Sequence, residues 1–315
     1  MFKAITFTDV HLADKNPGAR IDNYRDAILG KLEQARDYCA LKKADVAICG
    51  GDLFHIKTPT KNSHYLVSQT ISILKSFPCP VYSVYGNHDL RQDNISTLPS
   101  QPFYTVMKAG AVDYLTEKFF DNGKIRLFGV DYVQKPENED FSRENQGEKI
   151  QICVAHVNAS SKFDDLFGER VYRYQDLAQT SPDIFVFGHY HPDQGIEVVG
   201  NKHFINVGSI CRGSLKLDEL SRIPNLGYIE IDDDYNISCS KIPLTVASSS
   251  EIFDLELKVK EDVEQKELER FIGEMKDRLD SSSEDDDIEE VIKSSTINFG
   301  KEIVDKAMFY YEKAL

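Results

Sequence analysis

The chain has no run of about 18 consecutive apolar residues, the length a bilayer-spanning helix needs, so no segment is expected to cross a membrane. It has no C-x-x-C pair: Cys39, Cys49, Cys79, Cys153, Cys211 and Cys239 are scattered, several of them within apolar runs. That argues against a disulfide framework or a zinc cluster and predicts buried free thiols in a reducing, cytoplasmic setting. Met1 passes straight into the strand-like Phe2-Lys3-Ala4-Ile5-Thr6-Phe7, so no signal peptide is expected. Basic residues are also scarce, 37 Lys and Arg against 52 Asp and Glu, for a net charge of −15. The deficit is uneven, since residues 251–315 hold 20 acidic and 10 basic side chains, leaving −5 for residues 1–250. Such a balance weakens a nucleic-acid partner without excluding one, because local basic patches or a partner subunit could supply the contacts. No internal repeat is present.

Histidine, by contrast, is concentrated. Six of the eight fall in five short segments: Asp9-Val10-His11, Gly50-Gly51-Asp52-Leu53-Phe54-His55, Gly86-Asn87-His88-Asp89, His156, and Gly188-His189-Tyr190-His191. Each segment follows an apolar, β-rich run, namely residues 4–7, 46–49, 81–85, 152–155 and 184–187. Buried strands that end in polar ligating residues present them at the carboxyl edge of a sheet, where α/β proteins build their sites. His64 and His203 fit no motif and are assigned to a helix surface and a strand.

Between the segments the pattern alternates. Ile28, Leu32, Ala35 and Cys39 mark a helix within residues 21–43, and Tyr65, Val67, Ile71 and Leu74 mark another, ended by Pro78 and Pro80. Residues 125–130, 204–210, 226–231 and 237–242 read as further strands, with a hairpin turn at Asp232-Asp233-Asp234-Tyr235-Asn236. The expected fold is α/β, a four-layer αββα sandwich over residues 1–245 with a small C-terminal α+β appendage. The serines at 248–250 suggest a joint. Beyond it come an alternating, half-buried strand over 253–259, an amphipathic helix marked by Leu268, Phe271, Ile272, Met275 and Leu279, an acidic linker over 281–300, and a final helix over 301–315.

Asp, His and Asn in this order suit a two-metal phosphoesterase. Hydrolysing a phosphodiester requires a nucleophile at neutral pH and neutralised phosphoryl oxygens, which two divalent ions about 3.5–4 Å apart provide. Ions that close need a shared ligand, and the Asp52 carboxylate is the candidate, with Asp9, His11, Asn87, His156, His189 and His191 as the other donors. Mixed oxygen and nitrogen donors without thiolates favour Mn²⁺, with Mg²⁺ or Fe as alternatives, over structural zinc. Taken alone, Asp-x-His or an isolated histidine has little specificity; the conjunction in this order carries the inference.

The arrangement resembles the calcineurin-like metallophosphoesterase superfamily (D-x-H, G-D, G-N-H-[DE], H, G-H-x-H), from Phe2 to about Ser214 and with all five motifs intact. The resemblance implies that Asp9, His11, Asp52 and His191 hold one metal and that Asp52, Asn87, His156 and His189 hold the other. It also implies that His88 is a non-ligand catalytic histidine at the scissile phosphate. Gly51-Asp52-Leu53-Phe54-His55, followed by Pro59 and Asn62-Ser63, is similar to the corresponding segment of SbcD-type nucleases, the phosphoesterase subunits of a DNA double-strand-break repair complex. There His55 would sit beside the catalytic histidine and help to position it. Gly208-Ser209-Ile210-Cys211-Arg212 resembles the family's glycine-serine segment, with Arg212 as a phosphate contact.

The partners so implied are DNA and an SMC-like ATPase of the SbcC type, docked on the apolar face of residues 301–315, a face whose pattern equally suits packing back on the chain's own core. A homodimer through the stretches 65–77 and 103–107 is a further expectation. The short C-terminal region departs from the large cap and tail of cellular members and resembles compact, phage-type ones, for which the compartment would be the host cytoplasm. Residues 251–280 would then be a reduced cap. Two other functions compete: a stand-alone metallophosphoesterase on small phosphodiesters or phosphoproteins, and a silent phosphoesterase scaffold. The last ranks lowest because no ligand residue is missing.

Overall fold

The computed structural model describes residues 1–257 and 259, apart from 19, 133–135, 146, 148, 164, 167, 168, 215 and 216. The chain divides after Phe253, and the first unit, Met1–Phe253, carries every motif above. The linker and the final helix expected from the sequence lie outside the described residues.

Two six-stranded sheets form the unit. The strands in chain order are β1 (Phe2–Phe7), β2 (Val46–Cys49), β3 (Val81–Ser83), β4 (Asp113–Tyr114), β5 (Phe120–Asp121), β6 (Ile125–Val130) and β7 (Ile150–His156). Four short strands follow, β8 (Ala159–Ser160), β9 (Asp165–Leu166), β10 (Glu169–Arg170) and β11 (Tyr172–Arg173), and then β12 (Ile184–Gly188), β13 (Gly195–Val199), β14 (Lys202–Asn206), β15 (Asn225–Ile231) and β16 (Ile237–Pro243). One sheet runs β16-β15-β1-β2-β3-β4 and the other β13-β14-β12-β7-β6-β5. Within them β1-β2-β3-β4 and β6-β7-β12-β14 are parallel, so their carboxyl ends share one edge of each sheet.

Parallel strands covered on both faces read as unbroken apolar runs, which is why the sequence shows them so clearly. Along β1 the faces alternate. Phe2 and Ala4 enter the core between the sheets, with Val46, Ile48, Leu127, Ile152, Val154 and Val186. Ile5 and Phe7 point the other way, onto the helices α1 (Tyr24–Lys42) and α2 (His64–Lys75), through Ile28, Leu32, Ala35 and Leu66. On the far face of the second sheet Phe185, Phe187 and Phe204 pack against Tyr172, Tyr174 and Leu177. The rings there stack nearly parallel, Phe185 on Phe204 at 4.9 Å and Tyr174 on Phe204 at 4.5 Å. This fourth layer is thin, since its helix covers only Tyr174–Leu177.

Some sequence expectations shift. Residues 204–210 do not stay extended: β14 stops at Asn206 and Gly208 turns the chain at φ +74°. Residues 255–257 are helical rather than a strand, and Leu255 and Leu257 are each 37% exposed. An alternating pattern becomes a strand only where a sheet edge accepts it. Ser249–Ile252 forms a short helix capped by Ser248, with Ile252 and Phe253 buried, so the compact unit continues past the serines. The stretches expected at a dimer interface turn Leu66, Ile73, Leu74, Phe103 and Val106 into the core and leave Tyr65 exposed. All six cysteines are free, four of them buried. No helix among the described residues is long and apolar enough to cross a membrane.

Candidate metal centre

The two parallel edges meet where β1, β2, β3, β7 and β12 end. Asp9 lies two residues beyond β1, Asp52 three beyond β2, Asn87 four beyond β3, His156 is the last residue of β7, and His189 follows β12 directly. Turning the chain this sharply off a strand puts Asp9, His11, Asp52 and His189 in the left-handed region, at φ of 49°, 52°, 53° and 88°. Only glycine occupies that region freely, although Asp and His tolerate it better than branched residues. Gly86 shows a second constraint, because a Cβ there would collide with the Asp52 carboxylate.

The side chains converge. Asp9 and His156 are fully buried, and His11 and Asp52 are 1% exposed. His11 Nε2 lies 2.9 Å from His191 Nε2 and 3.6 Å from Asp52 Oδ2, and His191 Nε2 lies 3.8 Å from Asp9 Oδ1. On the other side His156 Nε2 is 3.4 Å from Asp52 Oδ2 and 3.4 Å from Asn87 Oδ1, while His189 Nδ1 is 3.1 Å from the same Asn87 oxygen. Asp52 thus touches both groups of donors. Asp9, His11 and His191 form one cluster of metal-ligand spacing, and Asp9, Asp52 and His156 form another.

The second atoms of these groups are already occupied. His156 Nδ1 donates to Gly50 O at 2.7 Å and His189 Nε2 donates to Glu169 Oε2 at 2.9 Å, which leaves Nε2 and Nδ1 respectively facing the centre. Asp9 accepts from the His189 amide at 3.0 Å and from Thr8 Oγ1 at 2.7 Å. Asp52 accepts from the His88 amide at 2.7 Å. Such outer partners fix tautomer and orientation at metal sites. Asp89 is wholly buried and accepts from the amides of Leu53, Phe54 and Gly86, tying the Asp52 loop to the Asn87 loop.

The electrostatics suit a cation. Burial would raise Asp52, but His156, His11 and His88 hold it well below the ordinary carboxylate range. Burial likewise opposes the charged form of His156, yet Asp52 and then Asp9 push it up to about 9. His11 goes well below an ordinary imidazole, from burial first and from His191 next. Burial and then His156 lower His189. Two imidazole nitrogens 2.9 Å apart, as in His11 and His191, are satisfied by one shared proton or by a cation beside both. Two carboxylates, an amide oxygen and four imidazole nitrogens turned to one centre therefore fit two divalent ions.

His55 and His88 stand at the rim, half-buried, with rings stacked at 5.2 Å and 13°. His88 Nδ1 donates to His55 O at 2.7 Å, and His55 Nδ1 is 3.3 Å from His11 Nδ1. Burial and then His88 lower His55 to about 4. A cleft of about 410 Å³ opens beside His189, lined among others by Tyr132, Val157, Asn158, Glu169 and Tyr172.

Every ligand candidate is brought together, and His55 and His88 join them. Arg212 is not: it is 4% exposed and its guanidinium donates to Ala247 O at 2.6 Å, away from the centre. Following a metal motif in sequence did not aim its side chain at the site, because Gly208 reverses the chain first. Glu169, Thr8 and Ser209 were missed. Ser209 lies in the glycine-serine segment and Thr8 precedes Asp9, whereas nothing local marks Glu169.

Comparison with known proteins places all five motifs within one family profile. The profile of the calcineurin-like phosphoesterase family matches residues 2–193. A curated relative, the DNA double-strand break repair protein Mre11 of Methanococcus maripaludis, is 23% identical over 181 residues, 53% of this chain and 48% of the relative. The chain thus spans about half the length of that relative. Among solved structures, a dimetal phosphatase from Danio rerio superposes with a TM-score of 0.50 at 12% identity, covering 78% of this chain and 99% of that one. The TT1561 protein of Thermus thermophilus gives a TM-score of 0.44 at 13% identity, with coverages of 76% and 98%. The chain belongs to the calcineurin-like phosphoesterase family.

Proposed function

We propose that this chain is a metal-dependent DNA nuclease, the SbcD-type subunit of an SbcCD-like complex that works with an SMC-like ATPase in DNA recombination, repair or replication. The observation that carries this reading is the His55–His88 pair, with rings stacked and the His88 ring bonded to the His55 carbonyl, beside the ligand cluster. The Leu53-Phe54-His55 segment that builds it is the SbcD-like feature of the sequence, and the relative at 23% identity is a double-strand break repair protein.

Asp9, His11, Asp52 and His191 would hold one ion, and Asp52, Asn87, His156 and His189 the other. When bound, two divalent ions, Mn²⁺ foremost, supply an activated water at neutral pH and neutralise charge on the phosphoryl oxygens. The protein's own part is to orient and to move a proton. His88 gives its Nδ1 hydrogen to His55 O, so Nε2 is the nitrogen that can carry a proton to the leaving oxygen. Stacking on His55 restrains that ring in its plane. The cleft beside His189, with Tyr132 and Tyr172 in its wall, offers room for the nucleotide next to the scissile phosphate.

The test is Mn²⁺-dependent degradation of end-labelled duplex DNA, run beside hydrolysis of bis(p-nitrophenyl) phosphate, with and without the ATPase. DNA cleavage that requires Mn²⁺ and His88 supports the proposal. Hydrolysis of the small ester with intact DNA in every condition would move the function to small phosphodiesters.

A further inference from the structure

Behind the centre, three basic side chains converge on one irregular segment, residues 209–212. Arg222 donates through Nη1 to Ser209 O and through Nη2 to Cys211 O, the latter at 2.5 Å. Lys31 Nζ donates to Ile210 O at 2.6 Å, and Arg20 Nη1 to Arg212 O at 2.5 Å. Every carbonyl from Ser209 to Arg212 thus receives a basic side chain. Arg20, Lys31 and Arg212 are each 5% exposed or less, and among the described residues the acids hydrogen-bonded to the cluster are Asp22 and Glu219. Two guanidinium nitrogens, Arg212 Nε and Arg222 Nε, remain buried without a hydrogen-bond partner.

Burying this much positive charge is costly, and a neutral donor or a water would satisfy a carbonyl more cheaply. What charged donors add is short, strong, directional bonds. The segment they hold is bonded to the ligand loops. Ser209 Oγ donates to Asp9 O at 2.6 Å, the Ser209 amide to His191 O at 2.9 Å, and the Ile210 amide to Thr8 O at 3.1 Å. Tyr24, whose ring lies 5.1 Å from the Arg20 guanidinium, donates to His11 O at 2.7 Å. The contacts therefore reach Asp9, His11 and His191, and none of these bonds reaches Asn87, His156 or His189.

We propose that Arg222, with Lys31, is a positioning residue for the Asp9–His11–His191 half of the metal centre. It acts by locking residues 209–212 as a splint across the loops that carry those ligands. The inference rests on the two-metal reading of the site.

The test uses the full chain and Mn²⁺ alone. Calorimetric titration gives the stoichiometry and the two affinities, and electron paramagnetic resonance separates a coupled pair from a single ion. Asn87→Ala marks which ion belongs to the other half. Arg222→Met should keep its thermal transition and weaken one ion by about 10–100-fold, the range for loss of an outer partner. The coupled signal should give way to a mononuclear one, and Arg222→Lys should recover part of the loss. If Arg222→Met does not fold, Lys31→Met, which removes one bond, should weaken the same ion by a smaller factor. Wild-type affinities in a folded variant, or equal weakening of both ions, would overturn the proposal. A wild-type chain that binds no Mn²⁺ would overturn the metal reading itself.

Discussion

Replacing Asp52 by Asn should change the metal-free protein in a way that titration can read. In the folded chain Asp52 Oδ2 lies 3.4 Å from His156 Nε2 with both groups buried. At an effective dielectric constant near 20, unit charges at that separation attract by about 5 kcal/mol, which corresponds to roughly 3 to 4 pKa units. Asp52 is the largest influence raising His156 to about 9, against the opposing effect of burial. Without it, His156 should fall by about those 3 to 4 units, to below its ordinary value of about 6.5, with Asp9 and the Gly50 carbonyl left to oppose burial. The sign for stability follows. A histidine raised in the fold contributes stability that is full below about 6.5 and is lost as pH rises through about 9. The metal-free wild type should therefore lose stability between those limits, and Asp52→Asn should remove that slope. Nuclear magnetic resonance of the imidazole, paired with urea unfolding across the window, measures both effects. A His156 that still titrates near 9 in the variant would refute the reasoning, as would a variant that binds two Mn²⁺ ions tightly.

His88→Ala should retain both metals and lose about 10²–10⁴-fold in cleavage rate, checked by metal analysis alongside turnover. Glu169→Gln should weaken the ion held by His189 by about 10-fold or more, because Nε2 loses its anionic acceptor; direct Mn²⁺ titration decides it. Lys31 is pushed down to about 7, by burial first, so the unfolded chain holds a proton that the folded one lacks between pH 7 and about 10. Wild-type stability should rise with pH across that range, and Lys31→Met should flatten the rise in urea titrations. Deleting residues 296–315 should leave small-ester hydrolysis intact and abolish co-purification with the ATPase; loss of the thermal transition would instead assign those residues to the fold.

The strands and ligands were legible because the same physics writes both. Buried parallel strands must be apolar throughout, so 4–7, 46–49, 152–155 and 184–187 stand out, and a ligand just past each must be Asp, Asn or His. What sequence could not carry was direction after a turn. Arg212 follows a recognisable segment, but the left-handed Gly208 sends the chain behind the centre, where the side chain meets Ala247. Glu169 reaches His189 from β10, which pairs with β9 in a separate small sheet, a contact across 20 residues with no local signature. The strand expected over 253–259 failed for a related reason: alternation records a preference for a sheet edge and not the presence of one.

The left-handed backbone at Asp9, His11, Asp52 and His189 constrains how this protein could lose its chemistry. An ordinary L residue forced into that region costs on the order of 1–2 kcal/mol, and a β-branched one more. Each of these positions is thus selected twice, once for a lone pair and once for a dihedral angle. A lineage freed from catalysis would still have four sharp turns to make, and asparagine and glycine are the residues that make them at least cost. Metal-dead descendants of this fold should accordingly carry Asn or Gly at these four sites, and drift without that bias at His156, where the backbone is an ordinary strand.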